Sequence, residues 1–345
     1  MPACGSNVYH RSARSPGVFA PVFSLGLERL SSRSTWVAVL FHHVTDSERW
    51  RPDDPLTAGL GIDVQTETFT GILEILRDRY DICSLGDVLA GRPPRSGRRR
   101  LVICFDDAYA SVAQTAAPVL TEMALPWTFF VNSGLVGNST VAVDNIVAYI
   151  ANAVGLAPLA ASAGREIRSV TDYIGNHLAT IPPARRRQLV ERLAAGCDIR
   201  LTDLTARRPY ITREELISLA RSGVTIGNHT ADHVHCRTLD DAGAGEQVAA
   251  ARRALEELAG TPVDSFAYPY GSCADATPLM TDTLQSSGHR CAFLVKRRLN
   301  RVGSSSPFQL YRIPLLSARR SVLTLELEVL PRLRAAKALL RIGAA

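Results

Sequence analysis

The run Arg100-Leu-Val-Ile-Cys-Phe-Asp-Asp107 decides how this chain folds: five apolar residues stand without a polar break and close on two adjacent carboxylates. An uninterrupted apolar stretch of that length reads as a strand buried on both faces, the pattern of a parallel sheet. Its C-terminal end then delivers Asp106 and Asp107 to one place. Working outward, the same grammar recurs. Trp36–Phe41 ends in His42-His43, Val224–Gly227 leads to His229, and Val263–Tyr268 ends in Pro269-Tyr270-Gly271. Trp127–Val131 and Cys291–Val295 are further short β-prone runs.

Helical spacing fills the intervals. Thr68–Arg79 places Phe69, Ile72, Leu73 and Leu76 on one face, and Ser111–Met123, Glu246–Gly260 and Thr277–Ser287 read likewise. Thr212 with Glu215 three residues on is a capping box opening a helix to Ser222. Strands alternating with helices, with chemistry at strand ends, predict an α/β fold: a distorted (β/α) barrel whose site lies on its C-terminal face. Residues 1–34, rich in Ser, Arg, Gly and Pro, are expected to be an irregular lead-in, 35–320 the catalytic domain, and 321–345 an amphipathic helical tail. Within the domain, 133–208 reads as a helical insertion shaping one rim of the site.

Composition narrows the function. The 345 residues are 46% hydrophobic and 21% charged, as in soluble globular proteins, and contain no apolar run of membrane-spanning length. The net charge of +6 is spread over the chain, with short runs at Arg98–Arg100 and Arg185–Arg187 that lack interleaved aromatic residues. That argues against nucleic acid as a partner. Seven widely spaced cysteines without a C-x-x-C pair read as reduced thiols. Arg11 and Arg14 before Gly17–Leu27 imitate a signal peptide only weakly, so the expected location is the cytoplasm. Leu333, Leu340 and Ile342 interleaved with Arg334, Lys337 and Arg341 suggest a helix docked on the barrel, with a membrane surface as the alternative contact.

The chemistry sits in Asp106-Asp107, His229-Thr-Ala-Asp-His233 and Tyr268-Pro-Tyr-Gly271. An Asp pair at a strand end is ordinarily a cap, and two histidines four apart can meet by chance on a helix face. Together they make a different case: two imidazoles and a carboxylate leave open positions on a divalent cation, and a further carboxylate can act as general base. Asp106 and Asp107 can divide those two roles. A zincin is excluded, because Thr230 stands where that motif needs Glu.

The blocks Val102-Ile-Cys-Phe-Asp-Asp-Ala-Tyr109, Ile226-Gly-Asn-His-Thr-Ala-Asp-His233 and Phe266-Ala-Tyr-Pro-Tyr-Gly271 resemble the first three motifs of the polysaccharide deacetylase family, also called the NodB homology or carbohydrate esterase 4 family. Leu40-Phe-His-His-Val-Thr45 and Phe308–Pro314 resemble its opening strand and closing segment, so the likeness runs from residue 36 to about 317. The resemblance implies Asp106 as general base, Asp107, His229 and His233 as ligands of one divalent cation, zinc first with cobalt or nickel as alternatives, and Tyr270 contributing its backbone N–H. It implies hydrolysis of an N-acetyl amide on an amino sugar or glycan, releasing acetate. Two departures stand out. Ala267 occupies the place of the family's arginine, and no histidine follows His289 to serve as the closing general acid. His42 is the candidate replacement acid, with His43 as fallback. Asp46 either anchors that imidazole or caps the loop, and Arg312 reads as a salt-bridged barrel arginine before it reads as a stand-in for the missing one. Asp232 and His235 are taken as loop residues, and Cys104 and Cys273 as packing residues. Two rival functions remain: a small-molecule N-deacylase or deformylase acting on a glycoside or nucleotide sugar, and a non-catalytic glycan-binding relative.

Overall fold

The structure is a computed structural model and describes residues 34–46, 48–304 and 306–332. Seven strands close into a parallel barrel in the order β1 (Thr35–Phe41), β2 (Arg100–Phe105), β3 (Trp127–Val131), β4 (Thr225–Asn228), β5 (Ser265–Ala267), β6 (Cys291–Val295) and β7 (Leu310–Pro314). The closing seam joins β1 to both neighbours. Trp36 lies opposite Arg100 and Phe41 opposite Phe105, while Val39 and Leu40 face Ile313 and Pro314 on β7. Asn300–Arg301 adds a short antiparallel edge to β1, and His43–Thr45 pairs with Asp63–Gln65 in a separate parallel ribbon.

Alternation along the strands divides the apolar residues in two. Trp36, Ala38, Leu40, Val102, Cys104, Phe130, Ala267, Phe293 and Leu310 form one buried cluster drawn from six of the strands, which is the barrel interior. Val37, Val39, Phe41, Leu101, Ile103, Phe105, Phe129 and Val131 point the other way, into the layer beneath the helices. The barrel is filled tightly: a Cβ on Gly227 would lie 2.4 Å from the Phe130 ring, so glycine there is what lets that ring into the interior.

The expected helices form, with two local differences. The predicted helix 111–123 opens as a widened π turn, Val112–Ala116, before Ala117–Glu122. Pro118 brings no N–H to the ladder and crowds the preceding turn, which the widening relieves. Likewise Gly245–Ala250 is a π turn ahead of Ala251–Ala259; its Gln247 and Val248 carbonyls accept from Ala231 N and Asn228 Nδ2 outside the helix. The predicted strand 263–268 shortens to Ser265–Ala267.

Residues 133–208 contain the helices Val143–Val154, Ala157–Ala163, Pro183–Gly196 and Leu201–Ala206, with a core of their own that includes Ile146, Ile150, Leu159 and Val190. After β7, Arg320–Thr324 and Leu325–Val329 dock on the barrel through buried Leu323 and Leu327, with Arg79 Nη1 donating to Thr324 Oγ1 at 2.8 Å. The lead-in before Ser34 and the tail beyond Arg332 lie outside the described residues. Among the described residues no helix is long and apolar enough to cross a membrane, and the cysteines are free thiols.

Candidate active site

Strand alternation carries past the strand ends and sorts the candidate residues. His42 continues the inward series Trp36, Ala38, Leu40, and Asp106 continues Val102, Cys104; both reach the cleft at the barrel mouth. His42 Nε2 stands 4.0 Å from Asp106 Oδ2. His43 has the opposite parity. It is buried against the edges of Trp50 and Tyr109, 3.0 Å from Asp63 Oδ1, and does not line the cleft, so the fallback acid is turned away from the site. Asp46 accepts the N–H groups of Glu48, Arg49 and Trp50 and so caps its loop rather than anchoring His42.

Asp106 is buried and gripped by Arg312, Nη1 to Oδ1 at 2.5 Å and Nη2 to Oδ2 at 2.8 Å. Arg312 is therefore a salt-bridged barrel arginine, and its partner is the expected base. The guanidinium lies over the rings of Phe130 and Phe293 inside the barrel. Burial alone would ease off its proton, but the field and hydrogen bonds of Asp106 outweigh this and hold it charged. Ala267, small and inward-facing in the same interior cluster, stands where the family arginine was expected.

Asp107 Oδ1 lies 3.2 Å from His229 Nε2 and 3.3 Å from His233 Nε2, and these ligand atoms converge within 4.8 Å of one another. The far nitrogen of each ring is committed: His229 Nδ1–H donates to the Ala267 carbonyl at 2.7 Å, and His233 Nδ1–H to Asp144 Oδ2 at 2.8 Å. Both Nε2 lone pairs thus aim at a buried carboxylate oxygen with no hydrogen-bond partner. Three electron-rich atoms facing one point are stable together only with positive charge between them, and orienting the far nitrogens is how proteins prepare histidine ligands. The donor set fits a divalent cation. Burial pushes the Asp107 carboxyl up, but His233 and His229 beside it win and hold it far below the usual carboxylate range. Burial lowers His233, and Asp107 with Asp144 more than reverse this, raising it. His42 is shifted down, burial outweighing the pull of Asp107 and Asp106.

The motif loops are strained where they present these groups. Asp107, Ala108, Thr230, His233 and Tyr270 all hold φ between 53° and 77°, a region that side chains with a Cβ rarely adopt and that concentrates at functional sites. Tyr270 directs its hydroxyl to Asp144, 3.0 and 2.9 Å from the two carboxylate oxygens, and stacks on His235 at 3.7 Å. His235 thus has a packing partner in the site. Asp232 accepts from Gln247 Nε2 at 2.7 Å and belongs to the loop. Cys104 is buried, and burial pushes its thiol up to about 12, no nucleophile at neutral pH.

Asp144 was not read from the sequence. Its signal was there: Asp144-Asn145 opens a mostly apolar helix, and a buried carboxylate inside such a run needs partners. With Arg186, whose Nη2 donates to the His233 carbonyl at 3.1 Å, it ties the insertion to the motif loop. The insertion also lines the cleft with Thr171, Ile174 and Gly175. The cleft has a volume of about 290 Å³.

Residues 94–291 match the family model described as polysaccharide deacetylase. Among curated proteins nothing matches the chain. Among solved structures, the Streptococcus pyogenes deacetylase PplD in complex with acetate shares 13% identity at a TM-score of 0.55, covering 84% of this chain and 97% of that one. A de-N-acetylase from Aggregatibacter actinomycetemcomitans gives 14% and 0.52, over 83% and 96%. A polysaccharide deacetylase from Bacillus cereus gives 13% and 0.51, over 84% and 68%. At such identities these likenesses are of fold.

Proposed function

This chain belongs to the polysaccharide deacetylase family, hydrolases of carbon–nitrogen bonds that deacetylate glycans, and from that premise we propose that it hydrolyses the N-acetyl amide of an amino sugar at the barrel mouth. The observation that carries this reading is the convergence of Asp107 Oδ1, His229 Nε2 and His233 Nε2 beside the Arg312-clamped Asp106. Those three residues would hold one divalent cation, zinc before cobalt or nickel. When bound, such a cation lowers the pKa of water and polarises an amide carbonyl.

The protein's own groups do the rest. Asp106, fixed by the Arg312 fork, takes a proton from the attacking water. The water oxygen bonds to the acyl carbon, and the backbone N–H of Tyr270 donates to the oxyanion that forms. The carbon–nitrogen bond then breaks with its electron pair on nitrogen, which must take a proton to leave as amine. His42 is the donor in this reading. Standing 4.0 Å from Asp106, it passes to nitrogen the proton that Asp106 takes from the water. The products are acetate and a free amine.

Acetate release from N-acetylated sugars and oligomers tests this. Asp106→Ala should cost about 10²–10⁴-fold, the usual worth of a general base, and chelation should abolish release until zinc, cobalt or nickel is restored. Release unchanged in the variant or by chelation would sink the assignment. A second reading, an N-deacylase of small glycosides, is favoured by the small cleft. Acetate released from monosaccharide conjugates but not from polymers would select it. For a non-catalytic relative, the motive supplied by Ala267 weakens, since Arg312 already clamps Asp106.

A further inference from the structure

The cleft beside the Asp107, His229, His233 cluster is small and mostly apolar. Its roughly 290 Å³ is at the bottom of the range of ligand pockets, about 300–1,000 Å³. Beyond the reacting groups its wall includes Leu60, Ile62, Leu135, Ala142, Ile174 and Val295. Leu60 and Ile174 belong to the core of the insertion, and Ile62, Leu135 and Ala142 to the layer between barrel and helices, so the cleft opens where two apolar clusters meet. The insertion and the loop carrying Leu60 are fastened together: Asn152 Nδ2 donates to the Ala58 carbonyl at 3.0 Å, and Arg207 pairs with Asp54 at 2.8 Å. This wall is built, not a chance exposure.

Of the polar side chains around it, several are committed elsewhere, while the buried Tyr268 hydroxyl has no partner. Asn145 Nδ2 donates to the Leu56 carbonyl at 2.7 Å and to Tyr109 Oη at 2.9 Å, while its Oδ1 accepts from Tyr210 at 2.6 Å. Thr171 Oγ1 pairs with Ser169 Oγ at 3.0 Å. Asn132 Nδ2 donates to the His229 carbonyl, leaving Oδ1 for one N–H or O–H. A pyranose lying flat on this wall would bury more hydroxyls than Asn132 Oδ1 and Tyr268 Oη could partner, which is penalised, whereas a hydrocarbon chain would gain with every methylene.

We propose that the cleft holds an aliphatic chain of several carbons beside the scissile amide, carried either by the acyl group or by the aglycone of the sugar. This rests on the amide hydrolysis proposed above. If the chain is acyl, the same step applies: water oxygen goes to the acyl carbon, the carbon–nitrogen electron pair and a proton go to nitrogen, and a longer carboxylate leaves in place of acetate.

The test is kcat/KM of the full chain on two series, N-acyl glucosamines from acetyl to hexanoyl and N-acetylglucosaminides with methyl to hexyl aglycones. A rise of about fourfold per methylene is expected in one series, the gain each buried methylene brings; the series that rises identifies where the chain is carried. Ile174→Asn, and Leu60→Ser as a milder variant, should flatten the hexyl-to-methyl or hexanoyl-to-acetyl ratio, a comparison within one variant that does not depend on how much of it folds. Acetate release with flat or falling values in both series would overturn the proposal. If no compound is hydrolysed, the deacetylase reading fails separately, and calorimetric affinities of Asp106→Ala for both series decide the cleft: affinity rising with chain length supports the chain, affinity independent of it overturns it.

Discussion

Asp144 uses both carboxylate oxygens to hold His233 Nδ1 and the Tyr270 hydroxyl, so one residue of the insertion sets the aim of the His233 imidazole. Asp144→Asn keeps the shape but loses the charge that fixes the proton on Nδ1. Zinc affinity should fall about 10–100-fold, read by competitive chelator titration; unchanged affinity would reduce Asp144 to packing. Arg312 has a separate consequence. With both groups buried, Arg312→Leu strands the Asp106 charge and should cost about 3–5 kcal/mol in urea unfolding. Arg312→Lys keeps charge without the fork and should retain more stability than activity. Equal loss of both would mean that the pair is structural alone. At this scale the candidate residues were legible in the sequence and their supports were not. Strand-end placement exposes Asp106, Asp107 and His229, whereas the pairings of Asp144 with His233 and of Arg312 with Asp106 span 89 and 206 residues and leave no local pattern.

The elements act through alternation and tight filling. The inward parity of β1 separates His42 from His43, a distinction of one residue that sends one ring to the cleft and its neighbour to Asp63. On β4, Gly227 admits Phe130, on which Arg312 rests. Gly227→Ala puts a methyl group 2.4 Å from that ring and should destabilise by about 1–3 kcal/mol, seen as a lower urea midpoint. Activity should drop as well if the displaced ring moves Arg312. A variant as stable as the wild type would show that the barrel interior yields there. Helix and strand positions were legible because period and length are local properties. The widened turns at Val112–Ala116 and Gly245–Ala250 were not, since they answer to a proline's missing donor and to carbonyls claimed from outside the helix.

The whole molecule bears a buried histidine away from the Asp107, His229, His233 cluster. His289 accepts from Asn228 Nδ2 at 3.2 Å and meets Ser287 Oγ at 2.9 Å, and burial, then the charge of Arg252, bring it from 6.5 down to about 4. The unfolded chain takes up this proton near pH 6.5 and the folded one only near 4, so its contribution is complete above 6.5 and lost as pH falls towards 4. Between pH 7.5 and 5.0 it accounts for about 2 kcal/mol, and His289→Gln should shrink the acid loss of unfolding free energy by that amount. An unaltered difference between the two pH values would remove His289 as the cause. By itself the sequence determined the βα alternation, the parallel barrel and the strand ends that carry the candidate groups, because apolar runs and their polar termini are written in neighbouring residues. Only the tertiary structure decided that Arg312 clamps Asp106, that Asp144 pairs with His233, and that the cleft is walled by Leu60 and Ile174. These are meetings between distant segments, set by how the closed barrel brings its strand ends together under the insertion.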